Sequence, residues 1–106
     1  MSSQKITIQS TNNINILKFV STQILINGGS YEYNNIDDAK NSPLAQQLFY
    51  LPFVKKVFIT ANFIAIQRFD IVEWSDVQEE VREQIEAYLI AGGIAVTETS
   101  SSRKKE

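Results

Sequence analysis

The chain has 106 residues, a formal net charge of −2, two prolines, four glycines, and neither cysteine nor histidine. That length suits one domain able to bury its own core. Without thiolates there is no disulfide framework, no thiolate nucleophile and no Cys-held zinc or iron–sulfur site; without imidazole, most familiar general bases and metal ligands are also missing.

Targeting signals are sparse. The opening MSSQKITIQS has no apolar run of signal-peptide length. No stretch approaches the roughly 20 apolar residues that span a bilayer, so no membrane partner is expected. The expectation is a soluble cytoplasmic protein. Residues 70–86 carry seven carboxylates (Asp70, Glu73, Asp76, Glu79, Glu80, Glu83, Glu86) against Arg82 alone. An acidic body with a short basic ending, Arg103-Lys104-Lys105-Glu106, argues against nucleic acid, whose phosphates demand a concentrated basic surface.

Residues 5–9 alternate Ile6 and Ile8 with polar neighbours, as a strand with one buried face does. Ser10-Thr11-Asn12-Asn13 is turn chemistry. Residues 14–20 predict a second strand, with Leu17 and Phe19 on one side and Ile16, Lys18 and Val20 on the other. Ile24-Leu25-Ile26 then runs into a turn at Asn27-Gly28-Gly29-Ser30, and Tyr31 and Tyr33 suggest a brief extended piece. Asp37 to Lys40 reads as a separate turn. Ser42 before Pro43 has the pattern of an N-cap followed by proline at the first helical position. Leu44, Leu48 and Leu51 continue that helix until Pro52 stops it.

Residues 54–60 and 63–69 form a hairpin about Ala61-Asn62. Pairing Thr60 with Phe63 sets Ile59 opposite Ile64 and Val57 opposite Ile66, a continuous aliphatic face. The other face carries Lys56, Phe58, Thr60, Phe63, Ala65 and Gln67. A second helix is expected to open at Ser75, with Gln78 completing a capping box. Val77, Val81, Ile85, Tyr88 and Leu89 make its apolar stripe, and the glutamates its wet side. Gly92-Gly93 ends it, and Ile94-Ala95-Val96 suggests a last short extended piece. The domain is taken as residues 1–96, with 97–106 a polar tail or linker start. The order predicts an α+β two-layer sandwich: an antiparallel sheet built as hairpin, helix, hairpin, helix, with both helices on one face.

Several segments together resemble the N-terminal domain of Nfu/NifU-type iron–sulfur cluster scaffold proteins. Asn15-Ile16-Leu17-Lys18-Phe19 is similar to that family's "NTLKF" signature, with Ile16 in place of Thr. Ala39, Ser42-Pro43-Leu44-Ala45 and Leu48-Phe49 match "A..SPLA..LF". Val54, Val57-Phe58-Ile59 and Asn62-Phe63-Ile64 match "GV..VFI..NFI", and Trp74 stands where the family has a Trp before its last helix. The matches run in order from about Asn15 to Leu89. Phe53 departs from the pattern, replacing a glycine common in relatives.

The resemblance implies a non-catalytic domain that aids iron–sulfur cluster assembly or delivery by docking other proteins. It implies no cofactor in this chain; the cluster is expected only on a separate Cys-x-x-Cys domain. The chain is expected to be either a piece of a longer scaffold or a stand-alone version of the domain, and a charged, Ser-rich ending where the family's linker begins favours the piece. The expected docking face is the half-apolar side of the sheet, with Lys18, Lys56, Phe58, Phe63 and Gln67 meeting iron–sulfur assembly or recipient proteins. Lys18 also fits an edge-strand lysine that deters aggregation, its stem snorkelling over apolar neighbours. Phe58 and Phe63 also fit a covered face, under Tyr31, Tyr33 or residues 94–96. Ser42-Pro43-Leu44-Ala45 reads more simply as a helix start than as a partner motif, and Trp74 as a plug between helix and sheet. Alternatives are a small ligand-binding domain or enzyme using Ser, Lys and carboxylates, and a homodimer formed through the open sheet.

Overall fold

The computed structural model describes residues 5–97. Five strands form one antiparallel sheet: β1 (Ile6–Ser10), β2 (Ile16–Ser21), β3 (Ser30–Tyr33), β4 (Val54–Thr60) and β5 (Phe63–Arg68), in the spatial order β1-β2-β5-β4-β3. Helices α1 (Pro43–Phe49) and α2 (Trp74–Ile90) cover one face, giving the two-layer α+β sandwich expected. A 3₁₀ turn over Ile36–Ala39 precedes α1, capped by Asn35, whose side-chain oxygen accepts from the Asp38 N–H at 2.9 Å.

The core follows from strand parity. Leu17, Phe19, Val57, Ile59, Ile64 and Ile66 all face the helices and are buried, and Leu44, Leu48, Val81, Ile85 and Leu89 meet them from above. The β4–β5 register is the one the side-chain pattern predicts, with Ile59 opposite Ile64 and Val57 opposite Ile66. Its turn residue Ala61 has φ of 37°, in the left-handed region that L side chains avoid. The turn holds because the Ala61 carbonyl accepts from Leu25 N–H at 2.7 Å and Ile26 N–H at 3.3 Å. Ala61→Gly is therefore expected to raise stability by about 0.5–1 kcal/mol, checked by urea denaturation, since relief of strain outweighs the added chain entropy.

Ser42 caps α1 as its sequence context predicts, accepting from the Ala45 N–H at 3.0 Å. Its hydroxyl also donates to the Ala95 carbonyl at 2.6 Å, so a fully buried serine ties the C-terminal segment to the start of α1. Residues 94–96 are thus no strand; Ala95 and Val96 are buried as a strap on the helix side. Thr97 continues the strap, with its N–H donating to the Asn41 carbonyl at 2.7 Å. The rest of the expected polar tail, residues 98–106, lies outside the described residues.

Tyr33 joins this cluster. Its hydroxyl donates to Asn41 Oδ1 at 2.9 Å, and burial pushes the phenol up to about 12. A folded-state value above the usual 10.0 means the native state holds the proton more tightly, so stability is lost as pH rises from about 10 to about 12. Tyr33→Phe is expected to flatten that alkaline slope, read from denaturation midpoints across the window.

One further local expectation is corrected. Helix α2 opens two residues early, at Trp74, with Glu73 rather than Ser75 at the cap position and no side-chain capping bond, so the Ser75–Gln78 capping box does not form. The cause is Trp74 itself. Its ring packs edge-on against Phe19 and Phe53, with centroids 5.8 and 6.1 Å away. Its indole N–H donates to the Asn15 carbonyl at 3.0 Å. That plug pulls residue 74 into the first turn. The short apolar piece Ile24-Leu25-Ile26 packs against the 61–62 turn, with Ile24 exposed and Ile26 buried. Phe53, the departure from the family pattern, fills space beside Trp74, so its side chain has a place in the core.

Candidate functional site: the uncovered face of the sheet

Strand order brings the five sequence-predicted residues onto one face. Across the middle of the sheet the register aligns Gln9, Lys18, Ala65, Phe58 and Glu32 in one row. The next row is Thr7, Val20, Phe63, Thr60 and Ser30, and a shorter one joins Ile16, Gln67 and Lys56. Neither helix reaches this side. Phe58 and Phe63 lie 6.3 Å apart between ring centroids and half-bury each other, together with Ile16, Val20 and Ala65. An apolar centre ringed by polar groups is the anatomy of a protein-contact surface.

The electrostatics of the rim are uneven. Lys56 Nζ sits 2.9 Å from Glu32 Oε2, a surface pair. Lys18 Nζ stands over the Phe63 ring, 4.3 Å from its centroid. That contact holds the ammonium above the apolar centre. The edge-strand reading of Lys18 falls, because β2 lies between β1 and β5 in the interior of the sheet. The covered-face reading of Phe58 and Phe63 falls as well. Tyr31 and Tyr33 stack on each other at 6.4 Å opposite Ile59 and Val57, on the helix side, and the 94–96 strap is there too.

The opposite side of the molecule has the other charge. Along α2, Arg82 is held by Glu79, Glu86 and Glu83 at 2.9, 3.1 and 3.8 Å, and Asp76 and Glu80 are exposed. Glu86 lies below the usual carboxylate range, chiefly because the Ile6 N–H donates to it. Among the described residues, no three carboxylates gather as metal ligands would. Ser42 spends its hydroxyl on Ala45 and Ala95, so it offers no free nucleophile to Lys40.

Sequence reasoning missed some of this face. Ile16 and Val20 share it with Phe63, and Gln9 and Glu32 extend its middle row. Period-two alternation marks each strand's side, but nothing local says that β2 neighbours β5.

Comparison with known proteins agrees with the fold. The family described as "Scaffold protein Nfu/NifU N terminal" matches residues 6–92. The chain is 38% identical over 85 residues to "NFU1 iron-sulfur cluster scaffold homolog, mitochondrial" of Drosophila sechellia, a match covering 79% of this chain and 30% of that protein. It is 25% identical over 98 residues to "NifU-like protein 4, mitochondrial" of Arabidopsis thaliana, covering 92% of this chain and 35% of the other. The chain thus spans only about a third of the length of these relatives. A solution structure of a NifU-like protein from Saccharomyces cerevisiae superposes with a TM-score of 0.76 at 29% identity, covering 89% of this chain and 85% of that one. The expected cytoplasmic residence is overturned, since these relatives are named as mitochondrial. With the family matched across residues 6–92, the chain belongs to the Nfu/NifU N-terminal family.

Proposed function

We propose that this domain is a non-catalytic docking module of a mitochondrial iron–sulfur cluster scaffold. It engages assembly or recipient proteins through the open sheet face, with Phe58 and Phe63 as the apolar anchor and Lys18, Lys56 and Gln67 around it. The observation that carries the reading is a sheet that, among the described residues, is covered on one side only, its other side centred on two mutually shielded aromatic rings. The cluster is cargo. A chain with neither cysteine nor histidine cannot hold it through thiolate or imidazole, so in this reading the Cys-x-x-Cys ligands lie on a separate domain of the scaffold.

The test is capture of purified iron–sulfur assembly and recipient proteins by the immobilised chain. Lys56→Glu combined with Phe58→Ala is expected to weaken capture at least about tenfold, because truncating a central aromatic removes hot-spot contact. The thermal midpoint should fall only slightly compared with the loss of capture, since neither residue faces the core, although the half-buried Phe58–Phe63 contact and the Lys56–Glu32 pair are lost. Unchanged capture contradicts the face assignment. Concentration-dependent dimerisation in sedimentation, abolished by the same pair, would instead make this face a contact between two copies.

A further inference from the structure

The connection from β2 to β3 is tied twice to the β4–β5 turn. The Leu25 and Ile26 N–H groups donate to the Ala61 carbonyl, and the Thr60 hydroxyl donates to the Gly29 carbonyl at 3.2 Å. Between these ties runs Asn27-Gly28-Gly29, an exposed bend. It borders an open hollow of about 410 Å³, shared with Ile24, Ile26, Thr60 and Ala61. Asn27 differs from the chain's other asparagines in the residue that follows it. Asn13, Asn15, Asn35 and Asn62 precede isoleucine or phenylalanine, Asn12 and Asn34 precede another asparagine, and Asn41 precedes buried Ser42. Asn27 alone precedes a glycine. A side chain on the following residue crowds the approach of its backbone nitrogen to the asparagine amide, and glycine has none. A Cβ built on Gly28 would meet nothing within 4 Å, so the space around that nitrogen is open as well.

We propose that Asn27 is a modification site, converted spontaneously to aspartate and isoaspartate with water as the sole co-reactant. The Gly28 nitrogen gives its proton to a solvent base and bonds to Asn27 Cγ. The Cγ–Nδ2 bond breaks, and Nδ2 takes a proton from water and leaves as ammonia. Water then opens the resulting five-membered imide. Breaking the new N–Cγ bond gives aspartate; breaking the original N–C bond gives isoaspartate, whose main chain runs through Cβ and Cγ. Either product adds one negative charge. Isoaspartate also adds a main-chain carbon to a bend pinned on both sides, which strains the tie between Thr60 and Gly29. That tie adjoins the start of β3, where Ser30 pairs with Thr60. Strand β3 carries Glu32, the partner of Lys56, so the change reaches the rim of the uncovered face, although the site stands whatever that face binds.

The test holds the full chain at physiological temperature and mildly alkaline pH, and samples it over days by peptide mass spectrometry. The expected result is the mass gain of an amide becoming a carboxyl at residue 27, with electron-transfer fragmentation showing both products. The rate should rise with pH, because the attacking nitrogen must first lose its proton. Gly28→Ala supplies the control. The added methyl has room, and Gly28 lies outside the left-handed region that Gly29 adopts at φ 75°, so the fold admits alanine there. That variant should convert at least about tenfold more slowly. The isoaspartate form, separated by anion exchange, should exchange its β3 amide hydrogens faster than the unmodified chain. No conversion at Asn27 in the folded chain, while the chain unfolded in guanidinium converts, overturns the proposal, since the bend then holds the amide out of reach. So does equal conversion of the Gly28→Ala variant, or faster conversion at another asparagine. Unchanged exchange in β3 overturns the strain drawn from the two ties.

Discussion

Trp74→Ala is expected to cost about 3–5 kcal/mol of folding free energy, enough to unfold much of a domain this size at physiological temperature. The ring is buried, touches Phe19 from β2 and Phe53 from the α1–β4 connection, and opens α2, so its loss leaves a cavity where three elements meet. Trp74→Phe separates packing from hydrogen bonding. It retains most of the contact but loses the bond to Asn15, and should cost only about 1–2 kcal/mol. The Asn15 carbonyl still accepts from the Arg68 N–H at 2.9 Å, so it is not orphaned. Because Trp74 is the chain's single tryptophan, the comparison is made by circular dichroism in urea. A loss under about 1 kcal/mol for the alanine variant would show that the junction collapses without it.

Arg68 gives the second large effect. It ends β5 on the core face, with its side chain only 3% exposed. Its guanidinium donates to the Val72 carbonyl and to Asp70 Oδ1, and reaches within 3.9 Å of Glu73, so it organises the whole link from β5 into α2. Its Nε has no partner, which makes the buried cation an imperfectly compensated one. Arg68→Ala should destabilise by about 2–4 kcal/mol, since it removes the stem and strands the Val72 carbonyl. Arg68→Met strands the same carbonyl but keeps most of the stem and sheds the desolvated charge, so its cost should be smaller, about 1–2 kcal/mol. Denaturation midpoints of the two variants decide between packing and ionic roles. Equal losses would mean that the charge, not the stem, holds the link.

These two residues also show where the sequence was legible. Ile64, Ile66 and Arg68 alternate in step, so parity alone places Arg68 inside, yet a charge at the end of an apolar run reads as exposed until its acceptors are known. Trp74 was readable as a plug, but its pull on the start of α2 required knowing that Phe19 and Phe53 converge on it. The β4–β5 register was legible because a two-residue turn leaves a single pairing that puts all the aliphatic side chains together. Strand order was not, because the β2–β5 pairing joins segments separated by β3, α1 and β4. For that reason the open face could be assembled from one hairpin plus Lys18, while Ile16, Val20 and Glu32 joined it only in three dimensions. Lys18 carried two sequence readings, and its interior strand removes the edge-protection one.

The account stands on the open sheet face being where partners bind. The most direct measurement is a map of backbone-amide NMR shifts in the full chain as a purified iron–sulfur recipient protein is added. The predicted result is a cluster of shifts on β2, β4 and β5 centred on Lys18, Ala65, Phe58 and Phe63, lost on Lys18→Glu. Shifts confined to the acidic side of α2, with this face silent, would contradict it.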